Sequence, residues 1–244
     1  MERTVRQKSL YAHYFFVVMA SIFIVMAVVG FGQGYQFLYS QQIPIYWFVH
    51  VHGAILTAWL LVFLTQAILA AKGNLKFHRQ LGQFSVVLGV LVLISSAIVV
   101  FHSHIGYPLH PNISWATVLF LFSIMNLFGL FFTWGVIVRK NAAAHKRLLF
   151  LATLMLIPPA FNRVLLFAGI DPIIHWLPLP VLIDPSLSGI PNPFLLILYN
   201  DLLLIPLFIY DLVTVRRIHK TTLIAAGCII GVQITVTMLW RFLT

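Results

Sequence analysis

The chain has 244 residues and a formal net charge of +10, with 61% hydrophobic and 8% charged residues. So few charges exclude an ordinary soluble globular domain and place the chain among integral membrane proteins, whose partner is the lipid bilayer. The basic residues sit in short segments between apolar runs, so they read as topological signals and exclude a nucleic-acid partner.

Because the hydrocarbon core is about 30 Å thick, a spanning helix needs roughly 20 mostly apolar residues. The sequence offers seven such runs, at about 13–31, 45–71, 82–101, 114–138, 147–168, 193–214 and 222–242. The expected fold is therefore all-α: a single seven-helix transmembrane domain over residues 1–244. The first run follows a basic segment, as in a signal peptide, but it is long and lacks an Ala-x-Ala cleavage site, so it reads as a retained first helix.

The segments preceding the first, third, fifth and seventh runs hold thirteen of the fifteen Lys and Arg residues. They are Arg3, Arg6 and Lys8, then Lys72, Lys76 and Arg79, then Arg139, Lys140, Lys146 and Arg147, then Arg216, Arg217 and Lys220. The opposite connections, about 32–44, 102–113 and 169–192, hold none. Such alternation predicts a cytoplasmic N-terminus and an outside C-terminus. The basic-free connections are rich in Pro, Gly and aromatics and read as interfacial segments, with Trp47, Trp115 and Trp176 at headgroup depth. The third is long enough to fold back over the bundle as a lid, although a Pro-rich connector is the simpler reading.

The single cysteine, Cys228, lies inside the last apolar run, which leaves neither a disulfide framework nor a thiolate metal cluster. Histidine is the more informative residue. His13, His78, His145 and His219 each stand at the basic start of an outward-running helix, spaced by 65, 67 and 74 residues. One helical hairpin separates each from the next, a topological regularity.

Two polar clusters follow when depth is counted at about 1.5 Å per residue. The outer one holds His50 and His52 in the second predicted helix, Arg163 near the end of the fifth, and Asn200 and Asp201 in the sixth. An unpaired charge inside a span costs at least a few kcal/mol, so an Arg163–Asp201 pair is expected to face the interior. Two readings stay open: a buried tie between helices, or a site for an anionic headgroup, a haem propionate or a proton in transit. Residues two apart lie about 200° apart on a helix. His52 is therefore assigned to the polar interior, and His50, beside Gly53, Ala54 and Thr57, to a helix–helix or outer-loop contact.

The inner cluster is His78, His145 and His219 with Asp211. A neutral imidazole at a cationic helix start suits a metal or haem iron, and three histidines with a carboxylate would suit a zinc or non-haem iron site. The alternative is that these side chains only hydrogen-bond loop carbonyls. His102, His104, His110 and His175 read as surface groups of the outer connections.

Several chemistries lack their residues. Residues 222–242 contain no lysine for a retinal Schiff base and no His-x-x-x-His, and the chain has no clustered histidine boxes, P-loop, Gly-rich dinucleotide turn or Ser-His-Asp pattern.

Six pieces carry a resemblance: HVHG with AW at 50–53 and 58–59, HRQLG at 78–82, AAHKRLLFLAT at 143–153, FNR at 161–163, YND with YDL at 199–201 and 210–212, and RRIHKTTL at 216–223. As a set they resemble an uncharacterised family of bacterial polytopic membrane proteins, and the histidines at helix ends look distantly like b561-type cytochromes. The resemblance implies a bacterial inner-membrane location and no particular reaction. The expected function is a histidine-held cofactor, haem b or a transition metal, in membrane redox chemistry, with a small molecule, a quinone or a protein complex as partner. The competing expectations are a non-enzymatic carrier or sensor built on Arg163, Asp201 and His52, and an accessory subunit of a membrane complex.

Overall fold

The computed structural model describes residues 2–42, 45–105, 115–168 and 201–243, which contain helices and turns and no strand. The helices are α1 (Glu2–Ser40), α2 (Trp47–Ala71), α3 (Leu75–Ile105), α4 (Trp115–Ile137), α5 (Ala142–Leu154), α6 (Pro158–Phe167), α7 (Ile205–Val215) and α8 (Lys220–Leu243). Five of them are long and apolar enough to cross a membrane, and the bent pair α5–α6 makes a sixth when taken as one span. The chain is an all-helical bundle of multi-pass membrane character. Of the sixth expected span, 193–214, only the part from Asp201 onward falls within the described residues. Asn200, His110, His175, Trp176 and the proposed lid at 169–192 lie outside them, as do the side chains of His13, His104 and Trp115.

Two expected boundaries are corrected. The connection expected at 32–44 is helical as far as Ser40, so α1 runs for 39 residues. At 1.5 Å per residue it is about 58 Å long, well beyond the bilayer core. The run Gly30-Phe31-Gly32-Gln33-Gly34 looks like a helix end, yet two of its glycines mark a helix crossing. A Cβ on Gly30 would stand 2.3 Å from the Ala160 carbonyl oxygen, and one on Gly34 would meet the Arg163 side chain at 3.4 Å. Small residues let two backbones approach this closely, and here they seat α1 against α6.

The second correction concerns the fifth predicted span. Instead of running straight over 147–168, it breaks after Leu154 and resumes at Pro158 with a 50° bend. Pro158 and Pro159 lack backbone N–H groups, so they cannot close helical bonds to the turn before them and instead begin a new helix. The bend sends α6 to α1, while α5 stays with α4 and α8.

Local signals explain the tight connections. Gly73, at φ +71°, adopts the left-handed conformation that links α2 to α3, and the Asn74 side chain accepts a hydrogen bond from the Phe77 N–H. Asn141 caps α5 by accepting from the Ala144 N–H at 3.2 Å. The core is aromatic. Phe15 stacks on Tyr210 with ring centroids 4.5 Å apart, and Phe16, Phe23 and Phe150 pack around this pair. Trp59 meets Phe128 and Phe132 edge-on, its indole N–H donating to the Thr153 hydroxyl at 3.2 Å.

Candidate functional site

The C-terminal half of α1, the N-terminal half of α2, α3, α4 and the broken span line a partly open cavity of about 600 Å³. Its wall is mostly aliphatic, from residues such as Ile24, Val28, Leu56, Leu60, Val99 and Met155, and its polar groups are few: Tyr35, His50, His52, Thr57, Ser96 and Arg163. An apolar chamber with a small set of polar groups is the usual form of a small-molecule site.

The two histidines of the HVHG motif border this chamber and reach different neighbours. His50 Nδ1 lies 3.3 Å from the Tyr35 hydroxyl on α1, with the rings 5.6 Å apart. His52 Nδ1 lies 3.1 Å from the Ser95 hydroxyl oxygen on α3. The Ser95 hydroxyl also lies 3.2 Å from the Val92 carbonyl; when it donates there, its oxygen accepts from His52 Nδ1–H and leaves the lone pair on Nε2. A shared chelate by His50 and His52 does not form, because residues two apart on a helix diverge.

The Arg163–Asp201 pair expected from depth is not formed. Arg163 donates through Nη1 to the Pro159 carbonyl at 2.8 Å, and its guanidinium lies over the Phe31 ring, 4.9 Å from the centroid. Asp201 instead accepts from the Gln233 side-chain amide at 2.8 Å. It borders a separate small pocket with Ser123, Leu204 and Gln233. The reason is the bend: α6 turns Arg163 toward α1, while Asp201 stands against α4 and α8. Equal depth was a poor guide, since it says nothing of direction around the bundle.

The buried ion pair lies at the other, basic end, between Arg147 and Asp211, whose side chains are 3% and 0% exposed. Arg147 Nε and Nη2 both donate to Asp211 Oδ1, the former at 2.8 Å. Asp211 Oδ2 accepts from the His219 backbone N–H at 2.9 Å and from the Thr222 hydroxyl at 2.7 Å. Beside them, Lys146 donates to the Tyr210 hydroxyl at 2.7 Å. Every lone pair that matters on Asp211 is taken, which is the condition for a buried carboxylate to be tolerated.

This hub corrects the expected inner metal set of His78, His145, His219 and Asp211. Asp211 is committed to Arg147, and the His219 ring nitrogen Nδ1 accepts from the Thr221 N–H at 3.2 Å. Burial and then the Arg147 guanidinium hold the His219 imidazole below its ordinary pKa; Asp211 opposes this, and Arg217 and Lys146 add to it. Among the described residues no three or more His, Cys, Asp or Glu side chains converge in a metal-holding group. His78 and His145 remain close together, their ring centroids 6.4 Å apart.

Sequence reasoning missed Tyr35, Ser95 and the Arg147–Asp211 hub. A signal for the hub was present: lysine and arginine at 146 and 147 face tyrosine and aspartate at 210 and 211, two adjacent positions matched in order across two helices. Compared with protein-family models, with curated proteins and with solved structures, the chain finds no match.

Proposed function

We propose that this chain is a ligand-binding carrier or sensor of the bacterial inner membrane, spanning it seven times with its N-terminus cytoplasmic and its C-terminus outside. The ligand is an amphipathic molecule whose apolar body fills the large chamber and whose head, anionic or rich in carbonyl oxygens, meets Arg163. The observation that carries this reading is a guanidinium bordering a cavity of about 600 Å³ with no carboxylate partner among the described residues. An intramembrane charge of this kind is costly unless an interior partner or ligand offsets it. Arg163 contributes donors in a fixed planar fork, His50 and Tyr35 add hydrogen-bonding groups, and the aliphatic wall excludes water from the rest of the molecule. Fatty carboxylates and quinones share the required chemistry. The haem b or metal redox role draws less support, because His50 and His52 diverge and the inner four-residue set is divided.

The test uses full-length protein in lipid nanodiscs, with a fluorescent fatty acid and a short-chain ubiquinone as probes. Arg163→Gln is expected to weaken the fatty acid at least tenfold and the neutral quinone less. Unchanged affinity for both, with wild-type stability, would overturn the proposal.

A further inference from the structure

Apart from the chamber, a pair of potential metal ligands lies where α3 and α5 begin. His78 Nδ1 stands 3.3 Å from the Gln66 carbonyl oxygen of α2, and His145 Nδ1 stands 2.8 Å from the Gly135 carbonyl oxygen of α4. A carbonyl oxygen can only accept, so both rings carry a proton on Nδ1, and in the neutral imidazole the lone pair is left on Nε2. Anchoring one imidazole nitrogen to a backbone carbonyl is how proteins fix the tautomer and orientation of a metal-ligating histidine.

The ring spacing leaves room for one ion between them. With each nitrogen about 2.0–2.1 Å from a metal, two imidazoles on opposite sides of it have ring centroids about 6 Å apart. The rings of His78 and His145 are 6.4 Å apart with planes at 86°.

We propose that His78 and His145 form a two-imidazole site for a single copper ion at the basic end of the bundle. Copper is selected by the donor set. Two nitrogen ligands hold most first-row ions weakly, and copper(II) stands at the top of the affinity order for such ligands. Zinc sites ordinarily draw three or four protein ligands, more than converge here. Lys146 and Arg79 follow the two histidines directly in sequence, so charge attraction contributes nothing and coordination supplies the affinity. The site is independent of the chamber and stands or falls apart from it.

The experiment is a copper(II) titration of purified full-length protein, read by equilibrium binding and by electron paramagnetic resonance. The discriminating variants are His78→Asn and His145→Asn, whose side-chain amides retain a donor for the Gln66 or Gly135 carbonyl but remove Nε2. One tightly bound equivalent with nitrogen hyperfine splitting is expected, weakened at least tenfold in each variant, while His52→Asn leaves it unchanged. The proposal is overturned if the wild type binds no tight equivalent, or if either inner variant, folded to wild-type thermal stability, retains it.

Discussion

The two ends of the bundle treat charge in opposite ways. At the basic end, Arg147 and Asp211 are buried together and Asp211 accepts from four donor atoms, on Arg147, His219 and Thr222. Toward the other end, Arg163 meets a carbonyl and an aromatic face and borders open space. A saturated charge is an anchor, whereas an incompletely neutralised one beside a cavity keeps donors free for a guest. Both arginines belong to the same broken span, so residue type and sequence location alone would not separate the roles.

The comparison breaks most sharply at Asp211. Asp211→Ala strands the Arg147 guanidinium, and a loss of about 3–5 kcal/mol is expected in detergent unfolding, whereas replacing Arg147 and Asp211 together with Met and Leu costs far less. If the double variant is as unstable as the single one, the hub does more than neutralise charge. Next in size is Gly30→Ala, whose methyl would collide with the Ala160 carbonyl. Overpacking of about 1–3 kcal/mol is expected, with α6 and the chamber disturbed; Gly227→Ala, which meets nothing nearby, serves as the control. Arg163→Gln is expected to leave stability unchanged or raise it while weakening ligand, the reverse of Asp211→Ala.

The smallest effect is that of pH. His219 has a folded-state pKa below its ordinary 6.5, so its neutral form is favoured by folding. Its contribution is fully present above pH 6.5 and is lost as pH falls from there through the folded value. Unfolding curves taken between pH 7.5 and 5.5 should show the decline, and His219→Gln should flatten it. A wild-type slope in the variant would assign the effect to another group.

Much of the helical plan was legible because apolar runs of membrane length admit few alternatives. The Asn141 cap and the Gly73 turn, not singled out from the sequence, follow from local chemistry once the helix ends are seen. What escaped was the direction of each helix around the bundle. Pro158-Pro159 lay unread inside a run expected to be one span, and only packing decides that α6 leans on α1, the lean that separates Arg163 from Asp201. The glycines at 30 and 34 imitate a loop in one dimension and make a helix contact in three. The motif pieces nevertheless sorted themselves spatially: HVHG and FNR reach the chamber, while AHKR, YDL and HKTTL meet at the hub.

The interruption between Leu154 and Pro158 has a mechanical consequence. The stretch before it is clamped to α4 and α8, and the stretch after it rides on α1. One span is thus jointed, with its fixed arm ending in the Arg147 anchor and its other arm carrying Arg163 along the chamber wall. Motion at the joint would resize the chamber and re-aim its guanidinium while the anchored end stayed still.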